Sequence, residues 1–444
     1  MSAGVFQQLL DRKENRRIAF LSLPMILSNI TNPLLGMVDT AIVGHLGATH
    51  YLAGTAVASM VVTQIYWLCG FLRMSATGLS AQALGAAKRE EAAKAFYQLL
   101  VPALLIGLVL ILCGSGLQWL AVQFADADSQ TAKVIDDYLQ ARIWGAPAAL
   151  TNLLLMGWLI GQQATRTVMT IQIVANLLNA LLSYVLAMKW GMGVFGVALA
   201  TVIVEYGIFA SALFVVLKRI GGVGPYLSWF NLQGYKPVLA LNLDILLRNL
   251  ALQLTMAFMV FQAARLDAQS VALNALLMQF FVISALGLDG IAYAVEALVG
   301  EAKGRKQQDL LNLRVCRGLL WSTLLALLYS AGFLLFDQSI LALLTNLPEL
   351  LVLANDYRLY IWLLPLIGHW CFLLDGVFIG LTRGTEMRNS MLFCALAVFL
   401  PVWWLTSYAG NHALWVAFLA FLAGRGITLG VAYWRLWQAR LLLA

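Results

Sequence analysis

The side chains of this sequence that can do chemistry are few, acidic and set in hydrocarbon. Asp39 stands in the apolar stretch from Ile18 to Gly44, IAFLSLPMILSNITNPLLGMVDTAIVG. At about 1.5 Å of rise per residue it lies roughly 9 Å inside the end of that helix near His45, where lipid exposure of its charge costs about 2.5 kcal/mol or more. It must face protein, water or a ligand. Helical steps back from Asp39 reach Gly36, Asn32 and Ser28, a small and polar stripe expected to point into a bundle. Pro33 cannot donate a backbone hydrogen bond and crowds the carbonyl of Asn29, which makes it the expected hinge of the same helix. A carboxyl group so placed can exchange a proton, hold a cation or neutralise a buried partner.

Other polar groups gather by the same spacing. Asn176, Asn179 and Ser183 fall at i, i+3 and i+7 on one helical face, and Thr201 and Glu205 at i, i+4 on the next. With Asp39, the residues Asn176, Asn179, Ser183 and Thr201 form the expected ion-coupling network of the N-terminal half. Glu205 fits either a functional role or a solvated helix end. In the C-terminal half Asp289 and Asp375 lie furthest from helix ends and are candidate coupling or substrate acids. Asp244 and Arg248, at i, i+4, are expected to neutralise one another as a structural pair. Glu296 and Glu301 approach a basic loop, where solvation is the simple expectation.

The elements that must position these groups are membrane spans. The 444 residues are 61% hydrophobic and 11% charged, against about 25% charged in soluble domains. The expected fold is an all-α polytopic membrane protein with about twelve transmembrane helices, near residues 18–44, 52–78, 94–124, 136–160, 168–188, 194–217, 240–264, 269–298, 310–336, 351–380, 390–409 and 413–438. The net charge of +7 does not call for nucleic acid, because the basic residues collect in alternate connections. The sparse side carries only Lys133, Arg142, Lys189, Arg265 and Arg358. This asymmetry predicts a multi-pass protein with both termini cytoplasmic, its first span too long for a cleaved signal. Five cysteines within or beside apolar spans suggest no disulfide framework.

The second half repeats the first. Asp137, Tyr138, Ile143, Trp144, Pro147, Gly157 and Gly161 are answered by Asp356, Tyr357, Ile361, Trp362, Pro365, Gly376 and Gly380, about 219 residues on with one single-residue slip. Two pseudo-symmetric six-helix lobes are therefore expected, residues 1–217 and 238–444, joined by a cytoplasmic linker at 218–237 rich in Gly and Pro pairs. There is no Walker A pattern, no HExxH and no GxSxG, and His45, His50, His369 and His412 have no ligand spacing. The expectation is no enzyme, no metal and no cofactor. Energy must come from an ion gradient, where one charge crossing the membrane potential supplies about 2.3 kcal/mol per 100 mV.

The stretches LPMILSNITNPLLGMVDTAIVGHLG at 23–47, FLRMSATGLSAQALGA at 71–86, ALATVIVEY at 198–206, LDGIAYAVEALVG at 288–300 and LLDGVFIGLTRGTEMRNSM at 373–391 give the chain its likeness to a known family. It resembles the multidrug and toxic compound extrusion (MATE) antiporters, within them the DinF-type, DNA-damage-inducible bacterial branch. The resemblance implies a V-shaped pair of six-helix lobes in the bacterial inner membrane, exporting small organic and often cationic compounds in exchange for protons or sodium ions. By that resemblance Asp39 is the coupling acid, Asn179 and Thr201 are its polar partners, Asp375 matches the acid of the tenth span and Asp289 lies in the motif of the eighth. Ser183 stands where many relatives carry a second acid, so a transported proton is expected over sodium. The expected molecule is a secondary active antiporter, monomeric in the lipid bilayer. The runner-up is a flippase for a lipid-linked precursor, which should show a basic cleft for pyrophosphate; the intramembrane cations are only Arg73, Arg248 and Arg425.

Overall fold

With no water in the bilayer core to satisfy peptide groups, an apolar chain of this composition closes its backbone hydrogen bonds within helices. The computed structural model describes residues 11–443 apart from the side chains of Asn32 and Leu232; the Asn32 position of the expected polar stripe thus lies outside the described residues. Every regular element among the described residues is helical. Among the described residues eleven helices are long and apolar enough to cross a membrane, and Ser129–Ile143 with Ala146–Gly161, bent by 55° at their junction, make a twelfth when the pair is taken as one span. The bend falls where Gly145 and Pro147 interrupt the helix, Pro147 lacking the donor that would continue it. These elements coincide with the twelve apolar stretches read from the sequence.

The described chain divides into two compact units, residues 27–242 and residues 243–444 together with the chain up to Ile26. The first helix, Arg12–Gly44, therefore contributes to both, its early turns to the second unit and its later turns to the first. It runs unbroken through Pro24 and Pro33. The 218–237 segment is tied down within the first unit: the Gln98 side-chain amide donates to the carbonyls of Trp229 at 2.6 Å and Gly234 at 3.2 Å, and the Tyr235 hydroxyl donates to the Gln98 carbonyl at 2.8 Å.

Close helix packing rests on the repeated glycines. A Cβ on Gly157 would lie 2.2 Å from the Arg73 carbonyl oxygen, and one on Gly161 would lie 2.1 Å from Ser80 Oγ. Their counterparts in the second unit meet the Ala268–Gly304 helix the same way, Gly376 at 2.9 Å from the Ala292 oxygen and Gly380 at 2.6 Å from that of Glu296. Backbone approach of this kind is how membrane helices gain packing energy without a hydrophobic driving force. The fifth span of each half, Thr165–Lys189 and Gly384–Ala409, also carries a π-helical segment, at Val185–Lys189 and at Cys394–Phe399.

Replacing Gly157 with Val drives a side chain into the Arg73 backbone and should cost about 3 kcal/mol. Gly36, where a Cβ would meet nothing within 4 Å, should accept Ala at no cost. Apparent melting temperatures of the two purified variants in detergent test the contrast.

Candidate functional site

The site in the first unit is built beneath an apolar cap. Ile42 and Val43 of the first helix, Tyr138 and Leu139 of Ser129–Ile143, Ala187 of Thr165–Lys189, and Val194, Val197 and Ala198 of Gly193–Ile220 belong to one buried cluster. One helical turn from that cluster along each of the four helices brings the chain to Asp39, Arg142, Ser183 and Thr201. A second turn reaches Asn179 and Glu205.

Hydrogen bonds join these positions. Asn179 Nδ2 donates to Thr201 Oγ1 at 3.1 Å and Ser183 Oγ donates to Asn179 Oδ1 at 3.1 Å; Asn179 is 1% exposed and Ser183 fully buried. The Asp39 carboxyl lies near the Ser183 hydroxyl and within the field of the Arg142 guanidinium, yet Asp39 Oδ1 is buried and accepts no hydrogen bond among the described residues. The first and fifth spans meet in a constant register below this point, with Ser28 donating to Gln172 and Asn176 Nδ2 donating to Thr31 Oγ1 at 2.9 Å. The structure thus brings Asp39, Asn179, Ser183 and Thr201 together. Asn176 sits two turns away on Thr31. Gly36 is exposed, although its place in the stripe predicts that it points inward.

Arg142 departs from the sequence expectation, and its partner Glu205 takes the inner of the two places its position allows. Arg142, counted among the charges of a connecting loop, is 6% exposed and ends the first half-helix of the broken fourth span. Its Nη1 lies 2.8 Å from Glu205 Oε2, and its guanidinium carbon lies 5.6 Å from the centre of the Tyr66 ring. Glu205 is accordingly held inside, against Gly145, where any Cβ would come within 2.4 Å of its Oε2. The available signal is the Trp-Gly-Ala-Pro run directly after Ile143: it breaks the helix inside the span and leaves Arg142 at an internal carboxyl terminus, where a cation is favoured.

In the second unit the expected pair of Asp244 with Arg248 does not form. Asp244 accepts from Thr385 Oγ1 at 2.6 Å and from Arg388, while Arg248 donates to Asp375 and to Asn249 Oδ1 at 3.0 Å. The i, i+4 geometry permits the pair, but each ion finds a better-aligned partner on another helix. Asp375 also receives Arg425, so this acid is held between two buried guanidinium groups. Asp289 is half-buried and, with Asp375, Arg248 and Arg425, belongs to the charged surroundings of Cys371. Glu296 and Glu301, expected in solvent, are 1% and 2% exposed. Glu301 is bound by Arg17 at 2.7 Å, by Arg314 at 3.1 Å and by Arg305.

The family model described as MatE matches residues 24–185 and again residues 245–405, once in each half of the repeat. The chain is 43% identical to DNA damage-inducible protein F of Escherichia coli (strain K12), over 94% of this chain and 92% of that protein. It is 24% identical to the multidrug resistance protein NorM of Photobacterium profundum, over 95% of each. Among solved structures, a mutant of the Vibrio cholerae MATE transporter VcmN superposes with a TM-score of 0.85 at 19% identity, covering 97% of this chain and 98% of that one.

Asp375→Asn leaves two buried guanidinium groups facing each other and should destabilise the protein by about 3 to 5 kcal/mol. Asp39→Asn removes a charge whose Oδ1 has no partner and should leave the melting temperature unchanged or raised. Thermal unfolding of both variants reads the difference between an acid that is matched and one that is not.

Proposed function

This chain belongs to the MatE family, and we propose that it is a secondary antiporter exporting small organic, often cationic, compounds in exchange for protons. The observation that carries the reading is Asp39, an acid in a membrane span with one buried oxygen left unpartnered beside the Ser183, Asn179 and Thr201 chain. Related proteins are named for multidrug resistance, which supports organic compounds as the cargo class. Ionised, Asp39 draws a cation or a proton toward the first unit. Protonated, it loses its charge and with it its hold on a cation. The two ligands then compete for one carboxyl group, and the Pro33 turn is the place where the first helix can bend to follow that choice.

We place the protein in the bacterial inner membrane as a monomer with both termini cytoplasmic, the orientation favoured by its sided basic residues. The flippase reading is weaker, because Arg248 and Arg425, the cations a pyrophosphate would need, both donate to Asp375.

Efflux of a fluorescent organic cation from proteoliposomes, driven by a pH gradient alone and by a sodium gradient alone, tests the reading. The pH gradient should suffice, and Asp39→Asn should slow that efflux by at least about tenfold. Unchanged proton-driven efflux in Asp39→Asn would remove the coupling role.

A further inference from the structure

Arg142 is a permanent cation one helical turn from the same apolar cap as Asp39, and proton exchange at Asp39 leaves it without a task. Its side chain is 7% exposed and its Nε donates to nothing among the described residues. Glu205 lies 2.8 Å from Nη1 on one side, and the Tyr66 ring face 5.6 Å away on another. Glu205 sits a turn further from the cap than Thr201 on its own helix, and the charge of the guanidinium also reaches Asp39. Gly145, which permits no Cβ beside Glu205 Oε2, keeps that carboxylate in reach of Arg142.

We propose that Arg142 is the built-in counter-cation of this site and determines its coupling ion: a proton can bind Asp39, whereas sodium is turned away. The proposal rests on the coupling role of Asp39. A proton forms a covalent O–H bond and needs no coordination shell. A sodium ion needs several oxygen ligands around it and must settle beside a fixed positive charge in a medium that screens poorly. Arginine cannot shed that charge, so the exclusion does not relax with pH. The fifth-span position beside Asp39 carries Ser183, so that span adds no second carboxylate to hold a sodium ion. Arg142 thus acts on ion choice by electrostatics, without contact to the transported compound.

The test compares the wild type with Arg142→Lys, Arg142→Gln and the double variant Arg142→Gln/Glu205→Gln, measuring apparent melting temperature in sodium chloride against choline chloride at equal ionic strength. Because Arg142→Gln strands Glu205 without its partner, the double variant, which removes both members of that pair and leaves Asp39 in place, carries the same prediction. Wild type and Arg142→Lys should show no sodium-specific stabilisation. Both glutamine variants should bind sodium at least about tenfold more tightly than wild type, more so in the single variant, where Glu205 remains ionised, and should lose that response when Asp39→Asn is added. In vesicles the glutamine variants should run on a sodium gradient without a pH gradient. A wild type already stabilised by sodium, glutamine variants with no sodium response, or a response that survives Asp39→Asn each overturn the role of Arg142. Loss of the coupling role of Asp39 itself reads out separately, as proton-driven efflux by Asp39→Asn in an otherwise wild-type chain.

Discussion

A charge taken out of water must be met by an opposite charge or by hydrogen bonds, or it must be able to disappear. In a bundle of apolar helices that constraint is severe, since an unmatched ion costs several kcal/mol and lipid offers no partner. Each acid placed inside this molecule can be understood by which of the three answers it has been given. Asp375 is met twice over, by Arg248 and Arg425. Glu301 is met by three guanidinium groups. Glu205 is met once, by Arg142. Asp39 is met least, by a serine hydroxyl and the field of an arginine already engaged elsewhere. Of these four carboxyl groups, Asp39 has no ion pair within salt-bridge distance among the described residues.

The two halves of the repeat therefore share a scaffold and differ in chemistry. Gly157 and Gly161 in one, Gly376 and Gly380 in the other, let backbones touch at equivalent places, and each fifth span relaxes into a π-helical segment. On that common frame the first unit builds a hydrogen-bonded chain of neutral groups beneath Asp39, and the second builds a tightly matched cluster of ions around Asp375. A matched cluster of this sort holds geometry.

What can be read from sequence follows the range of the information. The spans, the repeat and the closely packed glycines are written in local periodicity and in ordered matches, and they reappear in the fold. The group of Asn179, Ser183 and Thr201 is legible because helical spacing puts the first two on one face. Asn176 shares that face by spacing but meets Thr31 two turns away, since register between helices is not encoded by spacing within one. Asp244 and Arg248 show the same limit: an i, i+4 pair is the local prediction, and partners from other helices, Arg388 and Asp375, prevail. Arg142 escapes a local reading because a charge near the start of an apolar stretch looks like a loop charge unless the helix break just after it is given weight.

The first helix has one more consequence. Its opening turns are built into the second unit, where Asn15 accepts from the Trp321 indole, Arg17 reaches Glu301, and Ile18 and Leu21 lie against Ala294 and Leu298. Its closing turns carry Asp39 into the first. Although the sequence reads as a duplication, the molecule cannot be cut back into its ancestral parts at residue 243. A second half liberated there would forfeit the stretch of chain that shields Leu298, and Glu301 would lose one of its three counter-ions. The polypeptide has made its own amino-terminal turns a structural component of the half that follows about 200 residues later.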